Sequence, residues 1–391
     1  MAHILFVTPY YPPEKGAAQV RISENAKRLV KRGHQVTILT TVPNYPTGKV
    51  PKEYRRGILQ HEMIEGVRII RVWTYITEHK GFLRRILAQL SFGCLAPLIG
   101  SRAVGNPDVI IVQSPPLFDA IAGRLLSRIK RCPFIFMVSD LWPESGIQLN
   151  AIRSRLLIRI AKWLEWSTYQ RASLVWALSQ GIQTILIQRG LSPEHVFLLT
   201  NGADTTKFCP LQKVYARAEL GWDNKFTILY AGTHGVSHGL TTVLDAAEQM
   251  QDRTEMHFLF VGDGSEKAGL MKQARSRKIR NVSFLDALPY DHMPLALAAA
   301  DICLVLMRKV PLFEGRLPLK MFEVMASGRP ILLGVDGEAR QLAEQEAGAA
   351  LYIEPENEEE LKAAIIYLQE HPEEAEAMGP VSYTHLTLPT I

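Results

Sequence analysis

The chain has 391 residues, 47% of them hydrophobic and 21% charged, which suffices for a sizeable core and excludes a disordered chain. With 27 Gly and 23 Pro it is neither collagen-like nor of low complexity, and at roughly 150 residues per domain its length predicts two or three domains, with two expected. The net charge of +5 conceals an asymmetry: residues 1–200 hold 26 Lys+Arg against 12 Asp+Glu (+14), leaving 18 against 27 (−9) for residues 201–391.

The opening run HILFVT is short, apolar and branched, as a buried parallel strand should be. The start carries no basic segment followed by a long apolar one, so no signal peptide is expected. After a proline-rich turn and Gly16, the residues Ile22, Ala26, Leu29 and Val30 recur at helical spacing. Gly33 then stands where a helix-terminating glycine belongs, and QVTILTT follows as a second strand. Residues 86–101 are uncharged but interrupted by Gly93 and Pro97, and they fall short of the roughly 20 apolar residues a spanning helix needs. Further strands are predicted at DVIIVQS, FIFMVSD, LVWALS and HVFLLTNG, with a helix over residues 151–170. Strands alternating with helices imply a parallel sheet covered on both faces.

Residues 201–224 interrupt the alternation, which restarts with FTILYAG, MHFLFVG, NVSFL, DICLVLM and PILLG, each followed by a helical stretch. The expected organisation is a doubly wound domain over 1–200, a linker over 201–224 and a second doubly wound domain over 225–379. The last twelve residues, PVSYTHLTLPTI, contain no Asp, Glu, Lys or Arg and resemble the translation of a sequencing-library adaptor. Residues 380–391 are therefore read as a non-native tail, with the natural chain continuing beyond Gly379. Cys94, Cys132, Cys209 and Cys303 stand far apart and read as buried thiols of a reducing cytosol.

No GxxxxGK[ST] occurs and no GxGxxG follows the first strand, which disfavours a P-loop NTPase and a nicotinamide dehydrogenase. Asp-x-Asp, HExxH and GxSxG are also missing, so neither a metal on paired aspartates nor a nucleophile elbow is expected, and no cofactor is assigned. Sheets of this type bind ligands at the C-terminal ends of their strands. In the second half those ends carry Gly232 in YAGTHG, Gly262 and Gly264 in FVGDG, and Arg308 with Lys309 in LMRK. Glycine there lets backbone N–H groups approach a phosphate, although a single glycine more often only turns the chain.

The densest segment is PLFEGRLPLKMFEVMASGRPILLG, residues 311–334. Pro318 suits the first turn of a helix running to Ala326, with Gly328 closing it. A helix start facing a cleft offers unpaired N–H groups and a positive dipole end to a diphosphate. Lys320 and Arg316 add charge beside it, and Glu323, one turn on, reaches ribose hydroxyls. On spacing alone, an exposed surface helix with a salt bridge fits as well. Asp140 and Glu144 in SDLWPES end a first-half strand and should face the cleft, where a carboxylate takes an acceptor hydroxyl proton or holds the acceptor. The same residues also make good helix-initiation chemistry.

Segment 311–334 resembles the donor-site signature of retaining GT-B glycosyltransferases of family four, in which a Glu, seven residues and a second Glu straddle this loop and helix. Glu323 matches the second, which in the family binds the nucleotide ribose. The first, which touches the donor sugar, falls on Gly315, with Glu314 one place earlier. YYPPEKGAAQVRI, PNYPTGK, DLWPES, NGAD and YAGTHGVSHGL extend the resemblance over the chain up to Gly379. They are similar to the subgroup that adds fucose-type or acetamido sugars in bacterial surface-polysaccharide assembly.

The resemblance implies a GT-B α/β fold of two Rossmann-like doubly wound parallel-sheet domains facing across a cleft. The first domain would hold a lipid-linked saccharide acceptor and the second a nucleoside-diphosphate sugar, a uridine one. It implies transfer with retention by front-face attack and without a metal, with Asp140 and Glu314 as candidate catalytic residues. The implied donor-binding set is Gly16, Gly232, His238, Gly262, Gly264, Arg308, Arg316, Lys320 and Glu323. In the family an Arg and a Lys after the YAG strand hold the diphosphate. Here Thr233 and His238 stand in those places, which moves charge neutralisation onto Lys320, Arg316, Arg308 and the helix end, with His238 neutral or protonated.

The basic half is drawn to nucleic acid, a phospholipid surface or a diphosphate, or carries solvated charge with no partner. Within it, residues 82–102 and 152–166 mix arginine and lysine with leucine, isoleucine and tryptophan. Such stretches lie in an anionic membrane interface or simply cover the sheet. No basic-aromatic motif accompanies the charge, so nucleic acid is not expected as a partner. The expected location is cytoplasmic, peripheral on the inner face of the plasma membrane. Rival readings keep the fold: an epimerase or phosphorylase working without an acceptor, or a non-catalytic membrane-bound scaffold.

Overall fold

The computed structural model describes residues 1–45, 48–55, 57–78, 82–149, 152 and 154–387, excepting the side chains of 82, 83 and 380–387. It divides into two compact units, Met1–Thr200 and Asn201–Ile391.

The strands of the first unit are β1 (His3–Val7), β2 (Gln35–Thr41), β3 (Leu59–Ile64), β4 (Val67–Val72), β5 (Val109–Ser114), β6 (Phe134–Val138), β7 (Leu174–Ala177) and β8 (Val196–Leu198). They lie in the order β3-β4-β2-β1-β5-β6-β7-β8. Its helices are α1 (Ala17–Lys31), α2 (Phe82–Gly100), α3 (Asp119–Lys130), α4 (Glu144–Gln148), α5 (Arg155–Tyr169) and α6 (Gln180–Gln188). Because α1 buries Ile22 and Ala26 against the sheet, its apolar spacing becomes packing, and the interior strands are buried along their length. The exception to parallel pairing is the hairpin of β3 with β4, turned at Glu65 and Gly66 with φ of 49° and 78°. β3 is partly exposed on an edge and mixes polar with apolar residues, so it lacks the continuous apolar run that announces a buried strand. The chain winds one way from β1 and the other way from β5, which places the switch point of this sheet between them. The helix expected over 151–170 begins at Arg155, where the Ser154 hydroxyl accepts from the Leu157 N–H at 3.5 Å; residues 151 and 153 lie outside the described residues. Among the described residues no helix is long and apolar enough to cross a membrane.

The second unit is an all-parallel sheet of β9 (Phe226–Ala231), β10 (Met256–Val261), β11 (Val282–Leu285), β12 (Ile302–Leu306), β13 (Ile331–Gly334) and β14 (Ala350–Tyr352), ordered β11-β10-β9-β12-β13-β14. Around it lie α7 (Lys213–Leu220), α8 (Thr241–Gln249), α9 (Lys267–Ser276), α10 (Met293–Ala299), α11 (Leu319–Ala326), α12 (Glu338–Arg340), α13 (Glu358–Glu370) and α14 (Pro372–Thr387). Ile228, Phe258, Phe260, Leu304 and Leu332 lie in its core, and the switch point falls between β9 and β12. The stretch 201–224, expected as a linker, carries α7, which packs on α10 and ties to Asp301 through Lys213 and Arg217, both at 2.6 Å. Helix α14 runs through Gly379, while residues 388–391 of the expected tail lie outside the described residues. The thiols are not uniformly buried as expected: Cys303 is, Cys132 and Cys209 are partly so, and Cys94 is exposed on α2.

Candidate active site

The second unit gathers most of the predicted donor residues at its switch point. Gly232, just beyond β9, has φ 132°, and a Cβ there would stand 3.0 Å from Lys320 Nζ, so glycine leaves room for that side chain. Lys320 is the second residue of α11. Pro318 is the residue before the first turn and not within it, and no side chain caps the helix start. The Lys320 Nζ lies 3.7 Å from the centroid of the Tyr230 ring and is buried, with no hydrogen-bond partner among the described residues. Burial pushes its ammonium down to about 7, with Glu323 opposing the shift. Lys320 is thus poised between charge states at neutral pH, ready to be held charged by an anion.

Two histidines flank it. His238 Nδ1 stands 3.1 Å from the Leu306 carbonyl, and burial, then Lys320, pushes its ring down to about 3, so it is neutral. Of the two expected states the neutral one fits this setting: a neutral His238 donates Nδ1–H to the Leu306 carbonyl and supplies no charge. His234, which sequence reasoning passed over, is fully buried with its ring 5.7 Å from Tyr230 and 6.0 Å from Phe260. Neither of its nitrogens has a partner among the described residues, and burial pushes it down to about 4.

Gly262 and Gly264 have a plain packing explanation. A Cβ would stand 1.9 Å from the Gly232 carbonyl oxygen at the first and 2.4 Å from that of His234 at the second, so the loops after β9 and β10 touch backbone to backbone. Arg308 is not a free cation for the donor: its Nε donates to Glu356 Oε1 at 2.9 Å. The Lys309 N–H donates to the other oxygen of Glu356 at 2.8 Å, and its ammonium pairs with Glu354. Arg316 lies with its guanidinium 4.2 Å from the Phe313 ring centroid. Glu323 is buried on α11 and its Oε1 accepts from the Tyr290 hydroxyl at 3.1 Å. Glu314 is exposed in the 3-10 turn Pro311–Gly315, whose backbone Gly337 approaches so closely that a Cβ there would stand 2.3 Å from the Glu314 carbonyl oxygen.

In the first unit, Gly16 precedes α1 with φ 159°, and a Cβ there would stand 2.6 Å from Gln19 Oε1. Beside it Glu14 accepts N–H bonds from Asn44 and Tyr45, both at 2.7 Å, while burial pushes its carboxyl up to about 7. Asp140, beyond β6, accepts from the Ser145 hydroxyl at 2.8 Å. Glu144 is engaged with Lys162 at 3.5 Å and Arg189 at 3.4 Å. The residue at the N-cap of α4 is Pro143, which makes no side-chain cap. The carboxylate at the switch point is one that sequence reasoning missed, Asp119 at the start of α3 just after β5. It is fully buried, neither oxygen has a partner among the described residues, and burial holds its pKa well above the usual range. Its only signal in the sequence is an acid in a first helical turn, which is ordinary dipole chemistry.

Residues 16–202 match the family model described as "Glycosyl transferase 4-like domain", and residues 225–371 match "Glycosyl transferases group 1". Between them the two models span most of the chain, which is a glycosyltransferase. This glycosyltransferase is 28% identical over 368 residues to the "Putative colanic acid biosynthesis glycosyl transferase WcaI" of Escherichia coli (strain K12), covering 91% of this chain and 89% of that one. Among solved structures it is similar to sucrose-phosphate synthase from Thermosynechococcus elongatus, with TM-score 0.75, 18% identity, and coverage of 99% of this chain and 94% of that one. It is likewise similar to Anabaena Alr3699/HepE in complex with UDP-glucose, with TM-score 0.71, 20% identity, and coverage of 99% and 95%. These likenesses place the two sheets of this glycosyltransferase in the GT-B fold.

Proposed function

We propose that the enzyme moves a sugar from a UDP-linked donor to a lipid-linked saccharide acceptor during assembly of a bacterial surface polysaccharide, with retained anomeric configuration. The observation that carries this reading is the buried, partnerless ammonium of Lys320 beside Glu323 at an uncapped helix start on a sheet switch point. The diphosphate lies against the first N–H groups of α11 and Lys320, and the ribose hydroxyls donate to Glu323. Glu314 meets the sugar, of fucose-type or acetamido class. The acceptor is held by the first unit at the ends of β5 and β6, where Asp119 and Asp140 stand. As the bond from sugar to diphosphate breaks, negative charge grows on the leaving oxygen, and fixed dipoles with one cation stabilise it. The acceptor oxygen forms the new bond on the same face, and its proton passes to the departing diphosphate. No step is assigned to a metal or cofactor.

Two relatives support the substrate classes: HepE was crystallised with UDP-glucose, and WcaI is named for colanic acid biosynthesis. The enzyme works peripherally, at the inner face of the plasma membrane. The test is a thermal-shift screen of nucleoside-diphosphate sugars, followed by turnover with a lipid-diphosphate saccharide and proton NMR of the product anomer. UDP release that depends on the acceptor, with the anomer retained, is expected. Sugar interconversion without acceptor would make it an epimerase or phosphorylase, and donor binding with no turnover a scaffold.

A further inference from the structure

We propose that the outer face of α5 is the surface on which the first unit docks to an anionic lipid bilayer, with Leu156, Ile160 and Trp163 entering the interface and Arg155 and Arg159 meeting lipid phosphates. This rests on the reading that the acceptor is lipid-linked, and it names the surface that reading requires.

The sequence left open whether the apolar residues of this helix merely cover the sheet. In the structure a different set does that: Ala161, Leu164, Thr168 and Tyr169 are buried, and the Tyr169 ring meets Phe136 of β6 at 5.7 Å. Leu156, Ile160 and Trp163 point the other way, 66%, 48% and 63% exposed. Spaced four and three residues apart, they form a single stripe over two turns. Large apolar side chains in line and in water have no role in this fold. Each of the three is preceded in the chain by an exposed cation, Arg155, Arg159 and Lys162. The helix has one carboxylate, Glu165, which is buried on the inner face, accepts from the Tyr169 hydroxyl at 2.7 Å and pairs loosely with Arg189 at 3.7 Å. The outer face therefore carries apolar groups and positive charge with no negative charge of its own.

That combination selects the occupant. A second copy would bring the same cations face to face, and a stripe from Leu156 to Trp163 is only about 10 Å long, too small for the roughly 800 Å² per partner of a stable dimer. Nucleic acid would meet the cations but leave the apolar stripe in water. An anionic interface takes both at once. Helix α2 also exposes Leu87, near the exposed Arg84 and Arg85 of its first turn, and Leu98 in a last turn without basic residues; eleven residues apart, these two leucines form no continuous stripe.

The docking face is also linked to the acceptor side. Lys162 of the outer face pairs with Glu144 at the start of α4, and the next residue, Ser145, donates its hydroxyl to Asp140. A bilayer seated on α5 would lie against the same structural piece that holds the Asp140 loop, which suits an acceptor arriving on a lipid.

The test is flotation of the full chain with phosphatidylcholine vesicles, with and without about 30% phosphatidylglycerol. Binding is expected only with the anionic lipid, and it should fall with added salt. Replacing Leu156, Ile160 and Trp163 together by Ser, at positions too exposed to unfold the chain, should weaken it by about tenfold or more. Trp163→Phe should still float while losing the fluorescence quenching that brominated lipid causes in the parent, and Leu98→Ser should float like the parent. Triple-variant flotation equal to the parent, a parent unquenched by brominated lipid, or a lipid-free dimer that Ile160→Ser dissolves would each overturn the proposal. Transfer to a short water-soluble saccharide should survive the triple substitution. If vesicle binding behaves as described while no saccharide is ever glycosylated, the docking surface stands and the transfer reading falls.

Discussion

In the first unit Arg155 and Arg159 of α5 are exposed beside an apolar stripe, whereas in the second the ammonium of Lys320 is buried over the Tyr230 ring while Arg308 and Lys267 are paired with Glu356 and Asp286. The two sheets are wound alike, yet their positive charge is placed by opposite rules. An exposed set attracts an extended anionic surface weakly, at long range and under salt screening; one buried, partnerless charge grips a single anion strongly and at contact. On the proposed reading net charge alone misassigns the units: the acidic one would hold the anion site, because Lys320, with no hydrogen-bond partner among the described residues, stands where a helix begins.

The comparison is sharpened most by removing the buried charge. Lys320→Met should weaken UDP binding in titration calorimetry by about 100-fold, near 2.7 kcal/mol, because the diphosphate then faces an apolar wall. A change under about threefold would put the anion elsewhere. Glu323→Ala comes next, raising the donor KM by at least about tenfold, about 1.4 kcal/mol, and unchanged affinity by calorimetry would remove its ribose role. Donor affinity should also depend on pH in one direction. Lys320 titrates near 7 when free and is held charged by the diphosphate, so affinity is full below that pH and declines above it. At pH 8 binding should take up a proton, seen as heat that varies with buffer ionisation enthalpy; buffer-independent heat would contradict it.

A smaller effect concerns the first unit. Burial, then repulsion from Glu144, pushes the Glu165 carboxyl up to about 8 from its usual 4.5. Its folded pKa is raised, so the stability it contributes is complete below its unfolded pKa and is lost as pH rises through 8. Glu165→Gln should therefore gain about 1 kcal/mol over the parent at pH 9 relative to pH 6 in denaturant unfolding, and parallel pH profiles would contradict this. The smallest effect belongs to Arg308→Ala. A cation already bound to Glu356 has little to give a donor, so UDP affinity should change by less than about twofold, and a tenfold loss would mean that the pair opens for the ligand.

Much of this was legible in the residues. Strands buried on both faces print continuous apolar runs such as HILFV and MHFLFV, whereas β3, on an edge, and β14, three residues long, print none. Gly232, Lys320 and Glu323 stood out because strand ends and helix starts have local signatures. His234 and Asp119 did not, since being buried without a partner is a property of tertiary packing. Nor could the pairing of Arg308 be seen, with Glu356 48 residues further along. The α5 stripe was ambiguous for a related reason: this helix is apolar on two sides, and only its seat on the sheet tells which side is left over.

The most direct measurement is a crystal structure with UDP bound. The β-phosphate should lie within about 3 Å of Lys320 Nζ and the first N–H groups of α11, with the ribose on Glu323. UDP lodged elsewhere, with Lys320 still folded over the Tyr230 ring and touching no phosphate, would contradict the account.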